Sequence, residues 1–229
     1  MGKLFVLATP IGNLKDITLR GLEVLQEADF ILAEDTRVVA KLLAHYQIKK
    51  PVISFFEHSP QTKVNQLMGL IKAGKKLVMV TDAGTPNVSD PGHVLINTVY
   101  KELGHKVEII PVPGPSSLTA LISIAHFSLN DFLFLGFPPY HKGRPKFFSA
   151  VAQEKRPVIF FESTHRILKT ISELAQVCPE REMVLGKELT KKFERIWRGS
   201  VSEINQNLIK LSQDEIKGEF VLALDFSRK

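Results

Sequence analysis

Polar side chains that can bind a ligand follow directly after apolar runs in three parts of this sequence. Glu34-Asp35-Thr36-Arg37 comes after Phe30–Ala33, a polar loop comes after Leu77–Val80, and a stiff Pro113–Ser117 turn follows a further apolar run. Carboxylates, hydroxyls and a guanidinium can meet amine, carboxylate or hydroxyl groups, and Gly84 in the second loop lets the backbone approach a ligand closely. These segments are candidate ligand-binding loops; the alternative is that they are ordinary strand-to-helix turns.

Basic residues gather in the second half of the sequence. His141–Lys146 is a basic loop broken by Gly and Pro, and Lys187–Arg198 mixes lysines and arginines with Phe193 and Trp197. Such a mixture suits an RNA backbone and its stacked bases. The alternative is a solvated charged face, with Trp197 simply in the core.

The elements that must position these loops are strands and helices in alternation. Five strand–loop–helix units in about the first 125 residues predict a doubly wound parallel sheet. In such sheets ligands bind at the carboxyl ends of the strands, which is where the polar loops fall. Asp90-Pro91 predicts the start of the helix after Leu77–Val80, and His58 follows the strand predicted at Pro51–Phe56.

The second half has a different pattern. Strands are predicted at 131–137, 157–162, 182–185, 193–198 and 219–224, and the third and fourth follow each other without a helix, so this sheet is expected to be mixed. Ser200 and Glu203 have the spacing of a helix capping box. We therefore expect two α/β lobes, residues 1–126 and 127–229, with a cleft between them as the favoured ligand site.

Composition narrows the class of protein. The 229 residues are 44% hydrophobic and 24% charged, no apolar run approaches the length of a membrane span, and the first residues enter a strand directly. The single cysteine, Cys178, excludes an intramolecular disulfide framework and a cysteine-based zinc cluster. A cytoplasmic protein is expected, and the net charge of +6 weakly favours a polyanionic partner.

Seven motifs in order along the chain resemble one family, the ribosomal RNA small subunit methyltransferase I enzymes, a branch of the tetrapyrrole-methylase fold. The motifs that carry the resemblance are Ala8–Leu14 with Asp16–Thr18, Ala33–Arg37, Thr81–Pro86 with Ser89–Gly92, Pro113–Ser117, Phe161–Arg166, Lys187–Lys191 and Lys217–Val221. The resemblance implies S-adenosyl-L-methionine as cofactor, bound in the cleft between the lobes. It implies 2′-O-methylation of the ribose of the decoding-centre cytidine in 16S ribosomal RNA of the small subunit. It also implies a homodimer, no metal, and a helical extension that this sequence does not include.

The resemblance and the chemistry of methyl transfer give three sets of site residues. The residues expected to bind the cofactor are Pro10, Gly12, Asp82, Ala83, Gly84, Thr85, Val88, Ser89, Ser116, Ser117, Glu162 and Leu185. Those expected to position the ribose or accept its proton are Glu34, Asp35, Arg37 and His165, with His58 and Glu188 as further candidates for the base. Those expected to contact the RNA are His58, Lys142, Arg144, Lys146, Arg166, Lys187, Glu188 and Lys191.

Two other functions stay open on the sequence alone. A small-molecule tetrapyrrole C-methyltransferase would share the cofactor and the fold, but would need an apolar bowl ringed with arginines rather than an extended basic face. A non-catalytic module that binds ribosomal RNA is the other alternative, and it would bind no cofactor.

Overall fold

The computed structural model describes residues 2–56, 59–89 and 92–226. The chain forms two compact units, Met1–Ser116 and Ser117–Lys229. The division falls ten residues before the expected position at 126/127, because the helix Ser117–Ser123 packs on strands of the second sheet. The helix start expected at Asp90-Pro91 lies outside the described residues.

The first unit holds the doubly wound sheet that the sequence predicts. Its five strands are all parallel and lie in the order β3-β2-β4-β1-β5. The strands are β1 (Lys3–Leu7), β2 (Phe30–Ala33), β3 (Val52–Ser54), β4 (Lys76–Val80) and β5 (Glu108–Val112). The helices are α1 (Leu19–Glu27), α2 (Thr36–His45), α3 (Gln61–Lys72) and α4 (His93–Leu103), with 3-10 turns at Leu14–Asp16 and Gly104–Lys106.

Alternate residues of these strands pack on opposite faces of the sheet. Leu77 and Met79 of β4 belong to a buried cluster with α3 and α4, whereas Val78 and Val80 belong to one with α1 and α2. The helix after β1 and the helix after β4 therefore cover opposite faces, although β1 and β4 are neighbours. A chain that leaves adjacent strands toward opposite faces opens a crevice at their carboxyl ends, which is where α/β sheets bind ligands.

The second unit is built on a mixed sheet, as predicted. Strands β6 and β7 are parallel, the other neighbours are antiparallel, and the order is β6-β7-β10-β8-β9. The strands are β6 (Leu133–Phe134), β7 (Val158–Ser163), β8 (Glu182–Lys187), β9 (Arg195–Ser200) and β10 (Glu219–Leu224). The helices are α5 (Ser117–Ser123), α6 (Arg144–Gln153), α7 (Ile167–Val177), α8 (Val201–Leu208) and α9 (Gln213–Ile216).

The core of this unit lies between the sheet and helices α6, α7 and α8, and it includes Phe160, Leu185 and Trp197. Helix α5 contacts β8 and β10. Close approach there requires a glycine in β8, since a Cβ on Gly186 would lie 3.2 Å from Leu121 Cδ1. The capping box predicted at the start of α8 is present, because Ser200 and Glu203 each accept the other's backbone N–H.

Candidate functional site

The loops that follow β1 and β4 in the first unit are joined through their backbones. Thr9 N–H donates to Gly84 O at 2.9 Å, and Gly84 N–H donates to Thr9 O at 3.0 Å. The buried Thr9 hydroxyl also donates to Thr81 O at 3.1 Å. These two hydrogen bonds fix the carboxyl ends of β1 and β4 relative to each other, so Pro10 and Gly84 are held side by side.

The loop after β5 is tied to the same place. Thr85 Oγ1 donates to Pro115 O at 3.1 Å, and a Cβ on Gly114 would lie 3.1 Å from Ala8 Cβ. The parallel strands end at one edge of the sheet, and these bonds tie their loops together. The loops carry the cofactor residues that the sequence predicts in the first unit. Ser116 ends this loop, and Ser117 begins α5 in the second unit.

The loop after β4 contains residues in the left-handed backbone conformation, which most residue types avoid. Gly84 has φ +84°, and a Cβ there would lie 3.3 Å from Ile11 Cγ2. Asn87 and Ser89 have φ of 70° and 66° without being glycines. Left-handed backbone at residues other than glycine costs free energy and is frequent at ligand sites.

The exposed and buried parts of this loop differ in chemistry. Asp82, Ala83 and Ser89 are exposed, Thr85 and Val88 are half-buried, and Gly84 is buried. Gly12 in the loop after β1 is exposed, whereas Pro10 is buried. The arrangement offers a carboxylate and a hydroxyl to solvent beside a partly covered apolar side chain.

A fourth loop, the one after β2, joins this group. The Asp35 backbone N–H donates to Asp82 Oδ1 at 3.1 Å. The Asp35 side chain caps α2, and both of its oxygens accept from Arg37, with Nη2 to Oδ2 at 2.6 Å and Nε to Oδ1 at 2.9 Å. The sequence motif Glu34–Arg37 thus forms a rigid unit beside the predicted cofactor loop.

The same bonds set the acidity of Asp35. Hydrogen bonds from the Arg37 guanidinium, and then from its backbone N–H, lower the pKa of Asp35 to about 2. A carboxylate of such low basicity is a poor acceptor for a proton at neutral pH. Glu34, the next residue toward β2, is exposed. Asp35 and Arg37 are therefore suited to hold a group in place, and Glu34 is the better candidate for the base.

Glu162 in the second unit lies at the centre of a buried polar network. Its Oε1 forms an ion pair with Arg166 Nε at 2.8 Å and accepts from Ser163 N–H at 2.8 Å, and its Oε2 accepts from Thr170 Oγ1 at 2.5 Å. The side chain has no exposed surface. The Glu162 carboxylate thus holds protein groups of the second unit together. That Glu162 contributes to cofactor binding stays a prediction.

Arg144 belongs to the same network. The residue is 3% exposed, its Nε pairs with Glu173 at 2.8 Å, and its Nη2 donates to Thr170 Oγ1 at 2.6 Å. Its Nη1 donates to Pro139 O at 3.0 Å. The predicted phosphate contact of Arg144 is wrong, since the guanidinium is buried and fully engaged with protein groups. A run of basic residues in a sequence normally predicts exposed side chains. The one feature that indicates the burial of Arg144 is the buried acid Glu162 at the end of β7.

The remaining predicted residues of the second unit fall in three settings. Lys142, Lys146 and His165 are exposed. Arg166 is partly buried, and its Nη1 donates to Pro138 O at 2.9 Å. Leu185 is fully buried in the core, on a strand that is paired on both sides.

The Lys187–Lys191 motif is also structured by its own charges. Lys191 Nζ pairs with Glu188 Oε1 at 2.9 Å and with Glu219 Oε2 at 3.1 Å. Glu188 Oε1 further accepts from the Glu219 backbone N–H. Lys187 is 5% exposed, and its ammonium donates to Glu215 O at 2.7 Å. Of the two aromatic residues in the basic segment Lys187–Arg198, Trp197 is in the core and Phe193 is exposed.

Two further properties concern only the part of the chain that the structure describes. No group of three or more His, Cys, Asp or Glu side chains there is arranged to hold a metal ion. No helix of residues 2–56, 59–89 and 92–226 is long and apolar enough to cross a membrane. His58 lies outside the described residues.

Comparison with known proteins gives consistent matches over most of the chain. Residues 3–205 match the family model of the tetrapyrrole (corrin/porphyrin) methylases. A ribosomal RNA small subunit methyltransferase I from Thermotoga maritima is 43% identical over 89% of this chain and 90% of its own length. A protein of the same name from Neisseria meningitidis is 44% identical over 97% of this chain and 76% of its own.

Solved structures share the fold at lower identity. A cobalamin biosynthetic enzyme, cobalt precorrin-4 methyltransferase, has a TM-score of 0.71 at 22% identity and covers 96% of this chain and 94% of its own. A uroporphyrin-III C-methyl transferase from Thermus thermophilus, solved with S-adenosyl homocysteine, has a TM-score of 0.63 at 18% identity and covers 97% of each chain.

Proposed function

Because the chain belongs to the tetrapyrrole (corrin/porphyrin) methylases, and among them to the ribosomal RNA small subunit methyltransferase I family, we propose that it methylates ribosomal RNA of the small subunit. The methyl donor is S-adenosylmethionine. The observation that carries the proposal is 43% identity, over 89% of the chain, to a protein of that name. The acceptor proposed within that RNA is the ribose 2′-hydroxyl of the decoding-centre cytidine.

The joined loops of the first unit fit this cofactor. S-adenosylmethionine carries an ammonium, a carboxylate, ribose hydroxyls and an adenine ring, so its site needs acceptors, donors and apolar surface together. Asp82 offers a carboxylate, Ser89 a hydroxyl and Val88 a half-buried apolar side chain, all on the loop after β4. Gly84, which no side chain could replace without strain, lets the backbone of this loop come close to the ligand.

When bound, the cofactor supplies an electrophilic methyl group on a sulfonium. The residues of the chain must then place the ribose oxygen in line with that methyl group, and such positioning provides much of the acceleration in transfer reactions. The Asp35–Arg37 pair is fixed by three hydrogen bonds that use Nε and Nη2 of Arg37. The Arg37 side chain is 86% exposed, which leaves its Nη1 accessible to a phosphate oxygen of the RNA.

The 2′-hydroxyl must lose a proton as the methyl group is transferred. Glu34 is the proposed acceptor, because it is exposed beside the Asp35–Arg37 pair and because Asp35 is too weak a base at a pKa of about 2. The 2′-hydroxyl as target also restricts the enzyme to RNA, since DNA lacks this group.

A small-molecule tetrapyrrole methyltransferase is the less favoured alternative. The solved structures of that kind are 22% identical or less, which supports the shared fold alone. The relatives named for ribosomal RNA reach 44% identity. The proposal also includes a homodimer acting in the cytoplasm, and light scattering would then give twice the 25.7 kDa of one chain.

The decisive experiment incubates the purified protein with tritiated S-adenosylmethionine and unmodified small ribosomal subunits, and maps the product by mass spectrometry. A ribose methyl group on the decoding-centre cytidine is expected. Glu34→Gln should lower the rate by about 100-fold or more, which is the usual contribution of a positioned base. Glu23→Gln, on an equally exposed acid of α1, is the matched control and should leave the rate unchanged. Cofactor binding without incorporation into these subunits would overturn the proposed substrate.

A further inference from the structure

The second unit carries an open pocket that the proposed reaction does not use. It has a volume of about 750 Å³ and lies where β8 ends, β9 begins and α9 gives way to the Lys217-Gly218 turn. A volume in this range accommodates a ligand of the size of a nucleotide. Lys187, Lys192, Phe193 and Arg195 are among the residues that line it.

Lys187 is the unusual member of this lining. The residue is 5% exposed, and its ammonium donates to one neutral acceptor, Glu215 O, at 2.7 Å. The ammonium has three donor hydrogens, and a buried charge is costly unless it is paired. The Glu215 carboxylate is nearby, but it accepts from the backbone N–H and hydroxyl of Ser212. Among the described residues the hydrogen-bonding capacity of Lys187 is therefore only partly used, and an anion in the pocket would complete it.

Two exposed cations stand beside Lys187. Lys192 Nζ lies 5.5 Å from the centroid of the Phe193 ring, and Arg195 Cζ lies 4.9 Å from that of Trp197. Neither cation forms an ion pair with a described carboxylate.

The acids of the same pocket are engaged. Asp214 pairs with Lys217 at 2.7 Å, and Glu194 Oε2 accepts from the Thr190 backbone N–H at 2.5 Å. Glu188 is bound to Lys191. The positive groups are thus the ones available to a ligand, although the formal charges of the lining balance.

An aromatic platform completes the pocket. Phe193 is 68% exposed, so its ring is accessible to a ligand. Glu188 and Thr190, in the loop that presents it, have φ of 51° and 67°. Backbone strain of this kind persists where the surrounding contacts hold it, and it is concentrated at functional segments.

We propose that this pocket binds one nucleotide of the RNA substrate, with its phosphate at Lys187, Lys192 and Arg195 and its unstacked base on the Phe193 ring. The inference rests on the proposed function, which it deepens by naming a second RNA contact, in the second unit. Stacking on an aromatic ring tolerates any base, so the pocket supplies affinity and placement rather than sequence recognition.

The test measures binding of a fluorescein-labelled single-stranded oligoribonucleotide by anisotropy as a function of salt. Phe193→Ala should weaken binding by about 5- to 150-fold, the range for loss of one stacked base, and Phe193→Tyr should restore it. Tyr100→Ala is the matched control, because Tyr100 is 65% exposed on α4 in the first unit. Lys187→Met should lower the slope of log affinity against log salt by about one. If Lys187→Met does not fold, Lys192→Gln, at an exposed residue, should lower the same salt slope by about one.

Calorimetry with S-adenosylmethionine separates this inference from the proposed function. All variants should bind the cofactor as the wild type does. If the wild type binds RNA while Phe193→Ala and the lysine variants match it in affinity and salt slope, the pocket does not bind RNA. If the wild type binds neither RNA nor cofactor, the proposed function itself fails. Displacement of the oligonucleotide by equimolar cytidine monophosphate would identify a site for free nucleotides and overturn the assignment to RNA.

Discussion

Replacement of Glu162 by glutamine tests the buried network of the second unit. The Glu162 carboxylate has no exposed surface, forms an ion pair with Arg166, and accepts from Ser163 and Thr170, with Arg144 Nη2 at 3.9 Å. Glutamine has nearly the same shape, so the substitution removes the charge and leaves the packing in place. Arg166 would then lose its acidic partner, because the remaining acid of the network, Glu173, pairs with Arg144.

The expected loss of stability follows from this geometry. Removal of one partner from a buried ion pair destabilises a protein by about 3–5 kcal/mol, because the opposite charge is left without compensation. The glutamine carbonyl can still accept from Ser163 N–H, and Arg144 keeps Glu173, so we expect about 3 kcal/mol. That is a large part of the roughly 5–15 kcal/mol that stabilises a typical domain.

Urea denaturation followed by far-UV circular dichroism measures this loss. Glu180→Gln, which removes an exposed acid from the same unit, is the control and should change stability by less than about 0.5 kcal/mol. Calorimetry should give Glu162→Gln the cofactor affinity of the wild type under native conditions. A Glu162→Gln protein as stable as the wild type, but with weakened cofactor binding, would refute the structural role and support the prediction that Glu162 binds the cofactor.

Two further predictions concern the first unit. Gly84→Ala should weaken S-adenosylmethionine binding in a calorimetric titration, because a Cβ there meets Ile11. Gly74→Ala is the control, because Gly74 has a similar φ of +86° with open space around it. Each substitution should lower stability by about 1–2 kcal/mol, and Gly74→Ala should leave the affinity for the cofactor unchanged. The pKa of Asp35 is about 2 in the folded protein, below its ordinary 3.8, so the Asp35–Arg37 pair stabilises the fold above pH 3.8 and is lost as the pH falls toward 2. The carboxyl carbon shift of Asp35 in an NMR titration should stay constant from pH 8 to 4, and a midpoint above 4 would contradict the pairing.

The arrangement of the site in the first unit was predictable because it depends on strand direction. Apolar runs predict parallel strands, the carboxyl ends of parallel strands share one edge, and the polar loops were assigned to those ends. The bridge between Thr9 and Gly84 shows how closely two of those loops lie. The rigid Asp35–Arg37 pair was not predictable, because a side chain that caps its own helix can also point to solvent.

Charges in the second unit were harder to interpret from sequence. Arg144 stands in a run of basic residues that suggests an exposed loop, yet it is buried with Glu173 and Thr170. Burial of such a charge depends on partners far along the chain, and local composition carries no information about them. The packing of the apolar helix Ser117–Ser123 was hard to predict for a related reason: it could pack on either sheet, and only its contacts with β8 and β10 assign it to the second unit.

The difference between backbone and side-chain chemistry explains how one fold serves unlike substrates. The loops after β1 and β4 are joined by backbone bonds, and a Cβ at Gly84 or Gly114 would lie within 3.3 Å of a neighbouring side chain. The fold itself is shared with solved structures at 22% identity or less. In the proposed function, recognition of RNA depends on particular side chains instead, those of the Glu34–Arg37 unit and of the pocket around Phe193. Since fold alone does not set function, these two groups of side chains are where a ribosomal RNA enzyme must differ from a tetrapyrrole enzyme of the same fold. Exchanging them between the two kinds of enzyme should therefore change the substrate and leave cofactor binding intact.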